Sequence, residues 1–322
     1  MATKTGIEVI ALEEHYWDHA VTEHFAGRNA TRSSDLLDRL YDVSALRLKE
    51  MDEAGIDIQV LSHGAPSTQR LDAETGPAVA RTANDNLHAT VQANPARFAA
   101  FGALPTANPE AAADELERCV KDLGFKGAMI HGLTNGKFCD GKEFWPIFAR
   151  AEALDVPLYM HPGYPHPAVI EAYYKDYLGD FPTLASAGWG YTVETATQGI
   201  RLVLSGVFDA HPGLQIILGH MGEALPFLLW RIDHALSRKE NARKRSFREI
   251  FEAHFHITTS GNFSNPALIC SVQELGVDRI MFSVDYPFVE NKPGVEWAEQ
   301  IPLCREDRVK ILNGNVRKLL KL

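Results

Sequence analysis

Residues 127–161 read GAMIHGLTNGKFCDGKEFWPIFARAEALDVPLYMH. Two short apolar runs, Gly127–His131 and Pro157–His161, bracket an amphipathic segment, Phe144–Leu154. Runs of about five apolar residues are too short for helices and suit strands buried on both faces. The amphipathic segment between them has helical spacing, and a strand–helix–strand order pairs its strands in parallel. Both runs end in histidine. Working outward, the same rhythm recurs at Ile7–Leu12, IQVLS (58–62), FAAFGAL (98–104), QIILGH (215–220), HFHITTS (254–260) and RIMFSVD (279–285). Helical patterns alternate with them: Ser44–Ala54, stopped by Gly55; Glu74–Asn94; Pro109 to Leu123-Gly124; Thr192–Asp209; Glu223–Ser237; Pro266–Leu275; and Arg305–Leu320. Eight strand–helix units predict an α/β fold, a (β/α)8 barrel of the TIM type, as one domain over residues 1–322. An open doubly wound sheet is the competing architecture, but no GxGxxG follows the first run. Two stretches exceed ordinary connections, 16–43 after the first strand and 162–190 after the fifth. Rich in Tyr, Trp, Pro and Gly, they read as lids or interfaces.

Composition narrows the partners. The 322 residues carry 32 Lys+Arg against 42 Asp+Glu, a net charge of −10, which disfavours nucleic acid because no basic stripe offsets phosphate. Hydrophobic residues at 45% exclude disorder, yet no window of 18 consecutive apolar residues offers a membrane span. The start, MATKTGIEVIALEEH, has neither an apolar signal core nor a cleavage site. Cys119, Cys139, Cys270 and Cys304 lie far apart and read as reduced thiols. These features together describe a cytoplasmic enzyme with no nucleic-acid or membrane partner.

The strand ends carry the chemistry. In such a barrel the C-terminal ends of the strands converge on the active site. Here they present Glu13-Glu14-His15, His131, His161, His220 and Asp285. Strand periodicity puts Glu13 and His15 on one face. One terminal histidine would be unremarkable, whereas five such positions at one end of one barrel form a candidate metal site. Imidazole and carboxylate donors suit Zn²⁺, Mn²⁺ or Fe²⁺, and the lack of cysteine excludes a thiolate-rich structural zinc site.

Glu13-x-His15, His161-Pro162, Gly219-His220-Met221-Gly222-Glu223 and Ser283-Val284-Asp285-Tyr286-Pro287-Phe288 resemble the signature of the amidohydrolase-related branch of the amidohydrolase superfamily. LEEH, ARTAND, RFAAFGALP, DLGFKGA, ILGHMGEALP, WRIDH and FHITTSGNF are similar to the non-oxidative aromatic acid decarboxylases, of the γ-resorcylate and 2,3-dihydroxybenzoate type. The resemblance spans nearly the whole chain. It implies one divalent metal, Mn²⁺ or Zn²⁺, held by Glu13, His15, His161 and Asp285, with His220 and Glu223 acting near the substrate. It also implies that Asp285 donates the proton to the ring carbon. Many hydrolases of the superfamily hold two metals through a carboxylated Lys on the fourth strand. Here Lys126 stands at the opposite end of that strand, so a single metal is expected. The chain departs from the γ-resorcylate pattern at His131, where that branch generally has Asn, and in the loop from Gly163 to Gly188.

The expected activity is metal-dependent, non-oxidative decarboxylation of a hydroxylated aromatic acid by ring-carbon protonation and loss of CO₂. The alternative on the same barrel is a hydrolase or hydratase using metal-activated water. His220 and Glu223, three apart, are expected at the strand end and in the first helical turn, as a proton-handling pair or a hydrogen bond that closes the turn. Phe288 is expected to wall the ring. His131 is either a pocket residue or a satisfied core histidine. Arg231, eight residues beyond Glu223 on the same expected helix, either reaches substrate, its own or across a subunit interface, or forms a surface ion pair. A homodimer or homotetramer is implied by the resemblance and the long aromatic-rich loops.

Overall fold

The computed structural model describes residues 6–25, 32–236 and 245–322; the centre of the first insertion, 26–31, and the predicted helix end at Ser237 lie outside them. Eight barrel strands follow in order: β1 (Ile10–Tyr16), β2 (Ile58–His63), β3 in two pieces (Phe98–Ala100 and Gly102–Ala103), β4 (Ala128–His131), β5 (Leu158–His161), β6 (Ile216–Leu218), β7 (Phe255–Thr258) and β8 (Ile280–Met281). Every adjacent pair in these ladders is parallel, in sequence order. The break in β3 falls at Phe101. Hydrogen bonds from Phe101 N to Leu61 O and from Gly102 N to Gly127 O, both 2.9 Å, carry the pairing across it. The Asn84 side chain bonds Ala103 N at 2.9 Å and Ala103 O at 3.0 Å, so the ARTAND segment is structural.

Alternation along the strands builds two layers. Ile10, Leu12, Val60, Phe101, Met129, Tyr159, Ile217 and Met281 fill the interior, and Val316 and Leu320 of the C-terminal helix pack on that cluster. The intervening residues, such as Ile130, Met160 and Leu218, face the surrounding helices. Lys126 Nζ lies 3.4 Å from Lys321 O beside that C-terminal helix, far from the strand ends that carry the histidines.

Three expectations are corrected. The first strand is Ile10–Tyr16 rather than Ile7–Leu12, with Glu14 opposite Leu61 and His15 opposite Ser62, so the acidic residues lie inside the ladder. The segment expected as one helix over Glu223–Ser237 begins as a helix only at Leu225, running to Leu236. Helices Ser34–Tyr41, Phe247–His254 and Asn291–Gln300 had no counterpart in the reading of the sequence.

His63, at the end of β2, bonds Gly64 O through Nδ1 (2.9 Å) and accepts Asp18 N at Nε2 (3.0 Å). Burial holds this imidazole neutral, with its pKa pushed down to about 4. Below pH ~6.5 the unfolded chain takes up a proton there that the folded chain refuses, so stability is lost between pH ~6.5 and ~4, by ~1.4 kcal/mol per pH unit. Urea unfolding at pH 7 and pH 5 should show that fall, and a His63→Asn variant should show a shallower one.

Candidate metal centre and substrate pocket

Four side chains from three parts of the chain converge at the mouth of the barrel. One donor atom from each of Glu13, His15, His161 and Asp285 lies within 4.8 Å of all the others. His161 Nε2 is 3.3 Å from Glu13 Oε1, and His15 Nε2 is 3.4 Å from Asp285 Oδ1. Each imidazole is oriented from behind. Ser62 Oγ meets His15 Nδ1 at 3.2 Å, and Pro162 O accepts from His161 Nδ1 at 2.7 Å, which leaves both Nε2 atoms facing the cluster. Glu13 Oε2 accepts from Tyr159 and Ser260, leaving Oε1 for the cluster. Gly219 makes room for this carboxylate, since a Cβ there would sit 2.7 Å from Glu13 Oε2.

A test of fit follows from unsatisfied atoms. Glu13 Oε1, His15 Nε2 and Asp285 Oδ1 are buried without a hydrogen-bond partner, although such atoms are normally paired. Two imidazole nitrogens and two carboxylate oxygens, spaced as ligands ~2.1 Å from one centre would be, suit a single divalent cation. Among the described residues no cysteine joins the cluster, and no lysine lines the cavity above it. Electrostatics agree with that fit. Burial works against charge on His15, yet Asp285 and Glu13 push its pKa up to about 9. Burial likewise opposes ionisation of Glu13 and Asp285, but the surrounding histidines hold both below the usual carboxylate range. Two carboxylates thus demand positive charge at this point.

After β6 the backbone makes an unusual elbow. His220, Met221, Gly222, Glu223 and Ala224 have φ of 49°, 58°, 73°, 53° and 61°, a continuous left-handed turn. Non-glycine residues adopt this region at a cost of ~1–2 kcal/mol each, so packing must impose it. Glu223 is therefore in the elbow and not in the first turn of a helix, which corrects the expectation. The turn sets His220 Nδ1 2.7 Å from Glu223 Oε1 and leaves His220 Nε2 3.7 Å from both Glu13 Oε1 and Asp285 Oδ2. The histidine keeps its proton well above its ordinary range; burial opposes this, and Glu223 and Glu13 outweigh it.

A cavity of about 1070 Å³ opens above these groups, lined among others by His131, His220, Asp285 and Phe288. The Phe288 ring lies 5.7 Å from the His15 ring, in the place expected for a wall. His131 lines the cavity; its Nδ1 lies 2.9 Å from His161 Nδ1, and its buried Nε2 has no hydrogen-bond partner, so it is not a satisfied core histidine. Arg231 is exposed on helix Leu225–Leu236 and is not among the cavity-lining residues of its own chain. Tyr164 lines the cavity; Trp189 is largely exposed, and Phe263 packs on Trp297. Reading the sequence missed Arg32, whose guanidinium sits 5.3 Å from the Phe288 ring centre, and Arg70, also on the wall. Arg32 lies in an irregular stretch and Arg70 ends the single 3-10 turn Ser67–Arg70, both too short of repeat for periodicity to betray direction.

A barrel with such donors gathered at its strand ends is the architecture of the amidohydrolases, and the family model described as amidohydrolase matches residues 14–322. The chain belongs to that family. More particularly, it is 41% identical over 325 residues to γ-resorcylate decarboxylase of Rhizobium radiobacter, covering 97% of this chain and 98% of that protein. Among solved structures, dihydroxybenzoic acid decarboxylase from Polaromonas sp. JS666, with bound manganese and the inhibitor 2-nitroresorcinol, superposes with a TM-score of 0.90 at 39% identity, over 98% of this chain and 97% of that one. 5-Carboxyvanillate decarboxylase from Novosphingobium aromaticivorans, complexed with manganese and 4-hydroxy-3-methoxy-5-nitrobenzoic acid, gives 0.92 at 30% identity, over 99% and 97%. Among the described residues no helix is long and apolar enough to cross a membrane.

Proposed function

We propose that this chain is a metal-dependent, non-oxidative decarboxylase of hydroxylated aromatic acids. The observation that carries the reading is the convergence of Glu13, His15, His161 and Asp285 on one point beneath an aromatic-walled cavity, with the His220–Glu223 pair beside it. Full-length relatedness to decarboxylases supports it. We assign those four residues as the ligands of one Mn²⁺. Such a cation, when bound, acts as a Lewis acid that fixes an ortho-hydroxy carboxylate and draws charge from it.

The chain's own residues then handle the proton. Protonated His220 passes its Nε2 proton to Asp285 Oδ2, 3.7 Å away, and recovers one from the substrate hydroxyl. Glu223 accepts from Nδ1, which fixes the proton there and leaves Nε2 as the atom that gives and takes the mobile proton. Asp285 delivers the proton to the ring carbon bearing the carboxylate. The carbon–carboxylate bond breaks, its electron pair restores the aromatic ring, and CO₂ leaves. Phe288 walls the ring and His131 contacts its substituents.

Turnover in D₂O tests this. Deuterium should appear at the ring position vacated by CO₂, with CO₂ released in equal amount. Product lacking deuterium there but carrying ¹⁸O from labelled water would identify a hydrolase instead.

We also propose a homodimer or a dimer of dimers, with Arg231 reaching the neighbouring subunit's pocket. Phe227, Leu228 and Trp230, beside Arg231, are 79%, 43% and 64% exposed, and Phe227 lies on the rim of the cavity. Contiguous exposed apolar side chains of this size mark an interaction surface. Sedimentation should give a mass at least twice 35.7 kDa. A Phe227→Asp, Trp230→Glu variant should be monomeric and lose activity; a fully active parent monomer rejects the assembly.

A further inference from the structure

Glu14 stands between two of the assigned ligand residues, yet its side chain is not in their cluster. It is fully buried and turned across the gap between β1 and β8. There its carboxylate accepts from Val284 N (2.9 Å), Tyr286 N (3.3 Å) and Ser283 Oγ (3.3 Å). Val284 and Tyr286 flank Asp285, whose φ of +73° a non-glycine residue adopts only under constraint. Ser283 Oγ also accepts from Glu13 N at 2.7 Å, so one hydroxyl serves both sides of the gap. β1 carries a bulge between Ala11 and Glu14, and this register shift coincides with the carboxylate taking the place of a strand partner.

The far side of the carboxylate is held just as closely. Gln59 Nε2 donates to Glu14 at 3.3 Å, while Gln59 Oε1 accepts from Arg47 at 3.2 Å. Arg47 is itself fully buried, donates to His15 O at 2.5 Å, and lies 4.3 Å from the Tyr286 ring centre. The buried guanidinium is held by the neutral acceptors Gln59 Oε1, His15 O and Arg39 O, and Glu14 reaches it through Gln59. The chain of contacts therefore begins at the backbone on either side of Asp285 and ends at the backbone of His15.

We propose that Glu14 is a positioning residue for the metal centre: through Ser283, Val284 and Tyr286 on one side and Gln59 and Arg47 on the other, it sets Asp285 against Glu13 and His15. This inference rests on the metal reading above and adds to it the residue that aligns the ligands. A carboxylate that merely sealed the barrel would affect stability alone, whereas one that aligns ligands governs affinity for the ion.

The experiment is Mn²⁺ titration of the full-length chain, following the paramagnetic resonance signal of free and bound ion. Glu14→Gln should weaken Mn²⁺ binding roughly ten- to a hundredfold and change the spectrum of the ion that remains bound. Ser283→Ala, a smaller change, should weaken binding less but in the same direction, and it decides the matter if Glu14→Gln fails to fold. A Kd unchanged in the folded variants, even with a lowered Tm, overturns the proposal. A parent chain that binds no Mn²⁺ instead removes the metal reading, and this inference with it.

Discussion

Asp285→Asn should reduce kcat by about three powers of ten while KM for an ortho-hydroxy aromatic acid changes little. The amide keeps an oxygen that can face the metal but has no carboxyl proton to give to a ring carbon. Proton transfer belongs to the transition state, so its loss falls on kcat and not on ground-state binding. The side chain is partly buried beside His15 and His220, and the amide fits the same space. Mn²⁺ should still bind, though more weakly, because Glu13, His15 and His161 are untouched. Steady-state kinetics at saturating Mn²⁺, with metal content measured on the same sample, separate the two effects. A variant that keeps kcat within a factor of about ten would take the proton-donor role away from Asp285.

His161→Ala should lose bound metal and activity together. Its Nε2 is one of four converging donors, and the other polar side chain of β5, Tyr159, bonds the Glu13 carboxylate instead of joining them. Removing a ligand also releases His131, whose Nδ1 is 2.9 Å from that of His161, so the pocket wall should loosen as well. Metal analysis after desalting should find well under one ion per chain, and a large excess of Mn²⁺ should restore part of the activity. Chelation of the parent protein should mimic the variant and reverse fully on adding Mn²⁺. Full activity in metal-free parent protein would contradict the reading of the site.

Much of this centre was legible because its signals are local. GAMIH and PLYMH each pair a short apolar run with a histidine at its end, which places both imidazoles at one rim once the barrel is inferred. Glu13 and His15 alternate across Glu14 as any strand requires, and Lys126 is recognisably at the wrong end of β4. Helix boundaries marked by Gly55 and by Pro109 were equally plain, since a left-handed glycine ends the first and a proline in the first turn starts the second.

The remainder depended on contacts between residues far apart in the chain. Glu13 N bonds Ser283 Oγ across 270 positions, and Glu14, beside a bulge in the β1–β2 ladder, bridges to Val284 N just as far along the chain. The elbow from His220 to Ala224 looks like an ordinary helix start in sequence. Surrounding packing forces it left-handed: Gly222 has Ile257 and Pro226 so close that a Cβ would sit 2.9 Å and 3.1 Å from them. Arg231 shares the helical pattern that follows, but its exposure was decided by which face of that helix the barrel covers. Residue type and spacing determined by themselves the barrel class, the ligand chemistry and the end at which it gathers, because strand period and apolar run length are properties of a few neighbours. The tertiary structure alone decided how those ligands are aimed, because aim is set by hydrogen bonds and packing that form only when the barrel closes.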